Sequence, residues 1–174
     1  MNDILDKAAN IELIIFDVDG VLTDGRLYVT ESGKEFKAFH SRDGHGMKML
    51  QSTGVKIAII TGRTSNIVSH RMQELGIEHV YQGRKDKYPA FIELLNTTDL
   101  KPEQVAYVGD DVVDLPVMKH VGLAIATQDA HALVKQHSHW QTPNCGGMGA
   151  ARDACELIME GKGVLHAELE KYLS

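Results

Sequence analysis

Residues 11–20 read IELIIFDVDG, an apolar run that leads directly into two aspartates. The run 11–16 is rich in β-branched side chains and has the length of a buried strand. Because residues i and i+2 of an extended chain face the same way, Asp17 and Asp19 are expected to project together from the strand end. Two carboxylates so close repel each other unless a cation lies between them, and Mg²⁺ prefers such oxygen ligands. The stretch therefore predicts a buried strand that ends at an acidic metal site.

Similar apolar runs recur along the chain and alternate with segments of helical period. This alternation predicts an α/β fold in three layers, a parallel sheet with helices on both faces. The predicted strands are 11–16, 55–60, 79–81, 105–108 and 123–126. The predicted helices are 44–53, 65–75, 87–95, 114–120 and 130–136. Ligands of such sheets bind beyond the carboxyl ends of the strands.

One segment interrupts the alternation directly after the first strand. Residues 26–29 and 35–39 are short strand-like runs around the turn-rich residues 30–34, which predicts a β-hairpin flap over about residues 26–39. A tail of about residues 145–174 begins with a glycine-rich run, continues as a helix through residues 157–159 and is expected to form another helix over 164–173. No linker, repeat or low-complexity tract divides the chain, so residues 1–174 are expected to form a single domain.

The composition excludes several classes of protein. The formal charge of −6 argues against a nucleic-acid partner, because phosphate backbones require a basic face. No apolar stretch approaches the roughly 20 residues needed to cross a bilayer, so no membrane contact is expected. Residues 1–10 carry three charges, unlike a signal peptide. Cys145 and Cys155 lack metal-ligand spacing and are expected to be free thiols in a reducing cytoplasm.

Three further element ends carry groups suited to a phosphate ester. The predicted strand 55–60 is followed by Thr61-Gly62-Arg63, whose hydroxyl and guanidinium suit phosphate oxygens. Lys87 opens a predicted helix and is a point charge able to hold a phosphoryl group. The predicted strand 105–108 is followed by a second acidic cluster, which comprises Asp110, Asp111 and Asp114. Each group alone has a simpler interpretation: Thr61-Gly62 as a turn, Asp110 as a helix cap and Lys87 as a solvated charge. The pair Asp17 and Asp19 could likewise be loop carboxylates that cap a helix. Their joint order favours a metal-assisted phosphoryl-transfer site.

These residues resemble the four ordered motifs of haloacid dehalogenase (HAD) superfamily phosphatases, which have a Rossmann-like fold. The motifs correspond to residues 17–25, 61–63, 87 and 109–111. Runs 39–44, 109–116 and 146–152 resemble the cap-less HAD subfamily that hydrolyses 3-deoxy-D-manno-octulosonate 8-phosphate (KDO 8-phosphate) during lipopolysaccharide synthesis. The resemblance covers about residues 11–152. It implies a Mg²⁺-dependent phosphatase without a cap domain that releases KDO and inorganic phosphate.

The resemblance also implies roles for the acidic residues. Asp17 is the nucleophile that forms an aspartyl-phosphate, and Asp19 is the general acid and then the general base. Mg²⁺ is held by Asp17, by the backbone carbonyl of Asp19 and by Asp110. Asp111 and Asp114 orient the metal ligands or the lysine of the third motif.

The remaining implied roles concern the substrate. Thr61 and Lys87 hold phosphoryl oxygens as charge redistributes in the transition state. The implied substrate contacts are Asp19, His40, Ser41, Arg42, Asp43, Gly44, Lys48, Arg63, Arg71 and Lys87. The cations among these residues are more than one phosphate requires. KDO 8-phosphate also bears a carboxylate, which the planar guanidinium group of an arginine can bind. The alternative for the cations among these residues is ordinary surface charge on two amphipathic helices.

The absence of a cap leaves the predicted site open to water, although phosphoryl transfer benefits from excluding water. The cap-less proteins that this sequence resembles are homotetramers whose hairpins form a central barrel and whose glycine-rich tail reaches an adjacent active site. The resemblance therefore implies a homotetramer in which a neighbouring subunit contributes to the site. Residues 146–152 match that tail, and the alternative is a glycine loop that starts a helix.

Three other functions stay open. The first is a HAD phosphatase for another sugar phosphate or for a nucleotide. The second is a phosphotransferase that passes the phosphoryl group to another alcohol. The third is a non-catalytic HAD-like assembly module, against which the presence of all the motif residues argues.

Overall fold

The computed structural model describes residues 2–173, which form a six-stranded sheet, a separate two-stranded hairpin and eight α-helices. The strands of the large sheet are β1 (Leu13–Phe16), β4 (Lys56–Ile60), β5 (His79–Tyr81), β6 (Val105–Gly109), β7 (Leu123–Ala126) and β8 (Trp140–Gln141). All neighbouring strands are parallel, in the order β5-β4-β1-β6-β7-β8. The hairpin pairs β2 (Tyr28–Val29) with β3 (Glu35–Phe36).

The helices cover both faces of the sheet. They are α1 (Asn2–Ala9), α2 (Ser41–Ser52), α3 (Asn66–Leu75), α4 (Tyr88–Thr98), α5 (Leu115–Met118), α6 (Ala132–Gln136), α7 (Ala150–Gly161) and α8 (Leu165–Glu170). In β1, Ile14 and Phe16 pack with the helices α1, α2, α3 and α7, whereas Leu13 and Ile15 pack with α4, α5 and α6. Because both faces are covered, the whole of β1 is buried, and this explains its continuous apolar sequence. The predicted α/β class is confirmed.

The element bounds differ from the predicted ones in a few places. Strand β1 begins two residues later than expected, and the hairpin strands have only two residues each. The edge strand β8 and the helix α1 were not predicted. Two residues are too few to establish a strand period, whereas Ile4, Leu5 and Ala8 do give α1 an apolar face that the charges of residues 1–10 obscured. The helix expected over 114–120 is α5, which follows a 3-10 turn at Val112–Asp114, and the helix expected over 164–173 is the shorter α8.

The strand order places a crevice at the centre of the sheet. From β1, the strands β4 and β5 extend to one side, whereas β6, β7 and β8 extend to the other. Phe16 is in register with Ile59 of β4 and with Val108 of β6, so the loops that follow these three strands begin side by side. A parallel sheet binds its ligand at such a reversal point. Within residues 2–173, no helix is long and apolar enough to cross a membrane.

Candidate active site

The first predicted carboxylate, Asp17, lies buried where β1 ends. Its Oδ1 accepts a hydrogen bond from the backbone N–H of Val18 at 2.7 Å, and its Oδ2 lies 2.8 Å from Lys87 Nζ. Burial raises the pKa of Asp17 to about 6; the charge of Asp114 adds to this rise, and Lys87 opposes it. The Asp17 carboxylate is therefore held in place, but the positive charge of Lys87 is not enough to return its pKa to the usual value.

Lys87 brings a buried cation to this carboxylate from the residue before α4. Its side chain is only 2% exposed, and its Nζ contacts Asp17 at 2.8 Å and Asp114 Oδ1 at 2.7 Å. Burial alone would lower the pKa of Lys87, but the two carboxylates raise it above its usual value. The lysine is thus charged inside the protein, where its field is screened little by water.

Asp114 organises the loop that follows β6. Its Oδ1 accepts hydrogen bonds from Lys87 Nζ and from Tyr107 Oη, each at 2.7 Å. Its Oδ2 accepts from the backbone N–H groups of Asp110 at 3.0 Å and Asp111 at 3.2 Å. Four donors therefore occupy a fully buried carboxylate, which holds the loop and the lysine in register.

The donor set of Asp17, Asp110 and Asp114 fits a divalent cation. One oxygen of each carboxylate lies within 4.8 Å of the others. Because Asp114 already has four donors, Asp17 and Asp110 are the two residues with oxygens to offer. Asp110 Oδ1 is buried without a hydrogen-bond partner, and burial, with the charges of Asp114 and Asp17, raises the pKa of Asp110 to about 8. A hard cation such as Mg²⁺ would relieve both conditions.

Glycine is required at position 20 for this arrangement. The backbone of Gly20 has φ +87°, and a Cβ there would overlap the carboxylate of Asp110. The absence of a side chain therefore lets the loop after β1 approach the acidic loop after β6 closely. Thr23 Oγ1 supports the same loop by accepting from the backbone N–H of Gly25 at 3.2 Å.

A cavity of about 500 Å³ opens over these groups. It is lined by Asp17, Asp19, Gly25, Thr61, Gly62, Arg63, Lys85, Lys87, Asp110, Asp111 and Val113. The structure thus brings together the predicted residues of all four motifs at the central reversal of the sheet. Lys85 was not predicted here, and its place two residues before Lys87 on the same loop was the available signal.

Asp19 is turned toward the hairpin. Its Oδ1 lies 2.5 Å from Lys37 Nζ, and Lys37 also lies 2.8 Å from Glu35 Oε1. Neither hairpin residue was predicted to lie at the site. Glu35 and Lys37 are two residues apart on an extended segment, as Asp17 and Asp19 are, so their side chains were expected to face the same way. This spacing could have identified them.

Most of the predicted sugar contacts lie outside the cavity in this chain. Ser41, Arg42 and Lys48 are exposed on α2, and Arg71 of α3 pairs with Glu74 at 2.8 Å. Arg63 is the exception among the predicted guanidinium groups, because it lines the cavity. The substrate role of the others stays a prediction.

Two more of the predicted contacts take part in local structure. His40 caps α2 by accepting from the backbone N–H of Arg42 at 3.1 Å. Asp43 is buried, and its Oδ1 accepts from the backbone N–H of Arg152 at 2.9 Å, near the start of α7. Burial raises the pKa of Asp43, although these backbone contacts oppose the rise. In Gly44, a Cβ would overlap the guanidinium of Arg71.

The glycine-rich run packs against the loop that follows β1 in its own chain. The backbone N–H of Gly147 donates to the carbonyl of Val21 at 2.9 Å, and a Cβ at Gly146 would overlap the carbonyl oxygen of Gly20. The run then leads into α7, so within one chain it is a glycine loop that starts a helix.

Comparisons with known proteins give a consistent result. A model of the haloacid dehalogenase-like hydrolase family matches residues 77–151. The chain is 49% identical to the 3-deoxy-D-manno-octulosonate 8-phosphate phosphatase of Yersinia pestis, over 91% of this chain and 84% of that protein. The crystal structure of a probable YrbI family phosphatase from Pseudomonas syringae has a TM-score of 0.99 and 49% identity, covering 100% of this chain and 99% of that one. The phosphatase of Moraxella catarrhalis, in complex with a magnesium ion, a phosphate ion and KDO, has a TM-score of 0.97 and 38% identity over 99% of each chain.

Proposed function

This chain belongs to the KDO 8-phosphate phosphatase family of haloacid dehalogenase-like hydrolases, and we propose that it hydrolyses KDO 8-phosphate through an aspartyl-phosphate on Asp17. The observation that carries this assignment is the buried contact of 2.8 Å between Asp17 and Lys87 on the wall of the cavity. It joins an oriented nucleophile to a desolvated cation that can neutralise a phosphoryl group.

The reaction has two steps, and both use the loop after β1. In the first, the Asp17 carboxylate attacks phosphorus, the bond between phosphorus and the sugar oxygen breaks, and that oxygen takes a proton from the Asp19 carboxyl group. In the second, the Asp19 carboxylate takes a proton from water as the water oxygen attacks phosphorus. The bond between phosphorus and the Asp17 oxygen breaks, which releases inorganic phosphate and restores the Asp17 carboxylate. Lys87 and Thr61 bind phosphoryl oxygens in both steps.

The enzyme uses Mg²⁺, for which the carboxylates of Asp17 and Asp110 and the backbone carbonyl of Asp19 are the proposed ligands. When bound, the ion neutralises the charge between nucleophile and phosphate. The fully bonded Asp114 is proposed to hold Lys87 and the 110–111 backbone in position instead of binding the ion.

KDO 8-phosphate carries a carboxylate as well as a phosphate, and the charges of the cavity suit both. Lys87 is buried beside Asp17 and Asp114, whereas Arg63 and Lys85, which also line the cavity, are exposed. A guanidinium can bind a carboxylate with two parallel hydrogen bonds. We assign the phosphate to the Lys87 side of the cavity and the sugar acid to the side of Arg63 and Lys85.

The assembly that we propose is a homotetramer in which a neighbouring subunit covers part of the site. Leu27, Val29 and Phe36 of the hairpin are more than half exposed, an apolar surface suited to contact between subunits. The sugar residues predicted on α2 and α3 lie outside the cavity of their own chain, which leaves part of the site for another subunit to complete. We also propose a cytoplasmic location, which the free thiols of Cys145 and Cys155 favour.

Phosphate release from KDO 8-phosphate tests the function. The wild type and Asp17→Asn are assayed with Mg²⁺ and with excess chelator, beside a panel of sugar phosphates and nucleotides. We expect turnover that prefers the octulosonate, requires the metal and disappears in the variant. Because asparagine keeps the shape of the side chain, an equal melting temperature for the variant shows that the chemistry alone was lost.

Other results would favour the other functions. Metal-dependent turnover of a different ester would support the proposed mechanism but exclude KDO 8-phosphate as the substrate. Transfer of phosphate to an added alcohol identifies a phosphotransferase. Folded, metal-loaded protein that turns over nothing is a non-catalytic module.

A further inference from the structure

Asp19 belongs to a closed ring of four charged side chains. Lys37 Nζ lies 2.5 Å from Asp19 Oδ1 and 2.8 Å from Glu35 Oε1. Arg63 closes the ring, because it lies 2.5 Å from Glu35 Oε2 and 3.9 Å from Asp19 Oδ2. Opposite charges alternate around this charge ring (Asp19, Lys37, Glu35 and Arg63), which joins the hairpin to the loops that follow β1 and β4.

The two cations of the charge ring are not equivalent. The Lys37 side chain is 2% exposed, whereas that of Arg63 is 48% exposed. A buried charge is screened little by water, so the loss of a partner would leave it uncompensated and its contacts constrain its position. Contacts at 2.5 and 2.8 Å also hold the ammonium group from two sides. Lys37 is therefore the rigid member of the ring, while Arg63 remains accessible to a substrate.

Asp17 and Asp19 start from equivalent positions but need different roles. Both project from the same strand end, and each would be attracted by the same cations, Lys87 and the metal. In the structure Asp17 contacts Lys87, and it belongs to the possible metal-binding group with Asp110 and Asp114, whereas the nearest cation to Asp19 is Lys37. Lys37 thus gives the second carboxylate a cation of its own.

We propose that Lys37 is a positioning residue that keeps the Asp19 carboxyl group on the hairpin side of the cavity, available to the leaving oxygen and not to the metal. The inference rests on the proposed role of Asp19 as general acid and base. The addition to that role is that one buried lysine of the hairpin positions the group that transfers the proton.

This role makes the effect of Lys37 depend on the leaving group. A sugar alkoxide is a strong base and needs a proton as the phosphorus–oxygen bond breaks, but p-nitrophenolate leaves without one. The value of kcat/KM includes only the steps up to departure of the leaving group. A misplaced Asp19 should therefore reduce kcat/KM for KDO 8-phosphate far more than for p-nitrophenyl phosphate.

The experiment compares three variants with the wild type on both substrates, each at saturating Mg²⁺. Lys37→Met removes the charge with little change in volume, and Lys37→Arg keeps a cation at the same place. Lys34→Met is the matched control, since it makes the same substitution on an exposed residue of the same hairpin. Aryl phosphates of graded phenol acidity extend the comparison to a slope of log kcat/KM against leaving-group pKa.

We expect Lys37→Met to lower kcat/KM about 100-fold for the sugar phosphate and less than about 5-fold for p-nitrophenyl phosphate, with a steeper slope across the series. Lys37→Arg should recover a large part of the loss, and Lys34→Met should match the wild type. An equal loss on every substrate, or no loss, overturns the inference while the wild-type activity still supports the proposed function. If the wild-type protein does not hydrolyse KDO 8-phosphate, the proposed function is wrong. The inference about Lys37 is then wrong as well, because it rests on that function.

Discussion

Asp114 Oδ1 lies 2.7 Å from Lys87 Nζ, and both side chains are closed off from solvent. The contact joins the loop after β6 to the start of α4, two segments that are distant along the chain. The position of Lys87, the proposed phosphate-binding cation, is therefore set by a carboxylate that does not line the cavity itself. Stability and catalysis should respond together when this pair is broken.

Lys87→Met should destabilise the metal-free protein and abolish activity. The substitution leaves Asp17 and Asp114 without their shared cation, which should lower the free energy of unfolding by about 3–5 kcal/mol. For a chain of this size that loss corresponds to a melting temperature lower by about 10 °C. Calorimetry in the presence of a chelator measures it, with Lys119→Met on the exposed surface as control. Equal melting temperatures for the two variants would contradict the buried pair.

The metal-free protein should lose stability as the pH rises. Asp17 and Asp110 have pKa values of about 6 and about 8 in the fold, above the usual 3.8. Between about pH 4 and about pH 8 the folded chain thus holds protons that the unfolded chain has lost, so the free energy of unfolding falls as pH increases. Mg²⁺ should reverse this trend, because it binds the deprotonated carboxylates.

Melting temperatures at several pH values, with chelator and with Mg²⁺, measure this dependence. Asp110→Asn should flatten the upper part of the metal-free curve, because it removes the group of higher pKa. A metal-free melting temperature that increases over the same range would show that burial does not raise the pKa values of these two carboxylates in the fold.

The two thiols should react at very different rates. Cys155 is fully buried in α7, and burial raises the pKa of its thiol well above the usual range. Cys145 is only half-buried, and its Sγ lies 3.1 Å from Gln128 Oε1. A chromogenic disulfide reagent should therefore titrate one thiol quickly in the folded protein and both in denaturant. Cys145→Ser should remove the fast phase, and a fast phase that persists would mean that α7 opens readily.

Gly146→Ala should reduce activity although the residue touches no reacting group. Its Cβ would overlap the carbonyl oxygen of Gly20, and the loop after β1, which carries the proposed nucleophile, would have to move away. We expect a loss in kcat/KM of about 10-fold or more, since small displacements of catalytic groups have large effects. Gly54→Ala is the control, because Gly54 precedes β4 at the end of the strands away from the cavity and a Cβ there meets nothing within 4 Å. Its φ of +93° makes alanine strained at that position, so backbone strain alone would not explain a larger loss in Gly146→Ala. Equal activities of the two variants would show that the glycine contact does not position the loop.

Much of the fold could be predicted from local patterns. The strands at 79–81 and 123–126 match the structure residue for residue, and the first strand is only shortened. Strands β1 and β7 are buried along their whole length, so their apolar composition identifies them without any knowledge of their partners. Strand β5 is only half-buried at the edge of the sheet, and its place between two helical segments identified it. The edge strand β8 was missed because its two residues, one half-buried and one exposed, lack that composition.

Strand period alone predicts that Asp17 and Asp19 leave one strand end together, because the side-chain alternation of a strand is a local property. The geometry of parallel sheets, which is general, predicts that Thr61, Lys87 and Asp110 follow other elements of the same sheet. The cation that pairs with each carboxylate, Lys87 with Asp17 and Lys37 with Asp19, is seen only in the folded chain. Both lysines come from other segments of the chain. Which of them reaches which carboxylate depends on the packing of loops, and no residue pattern within one segment encodes that packing.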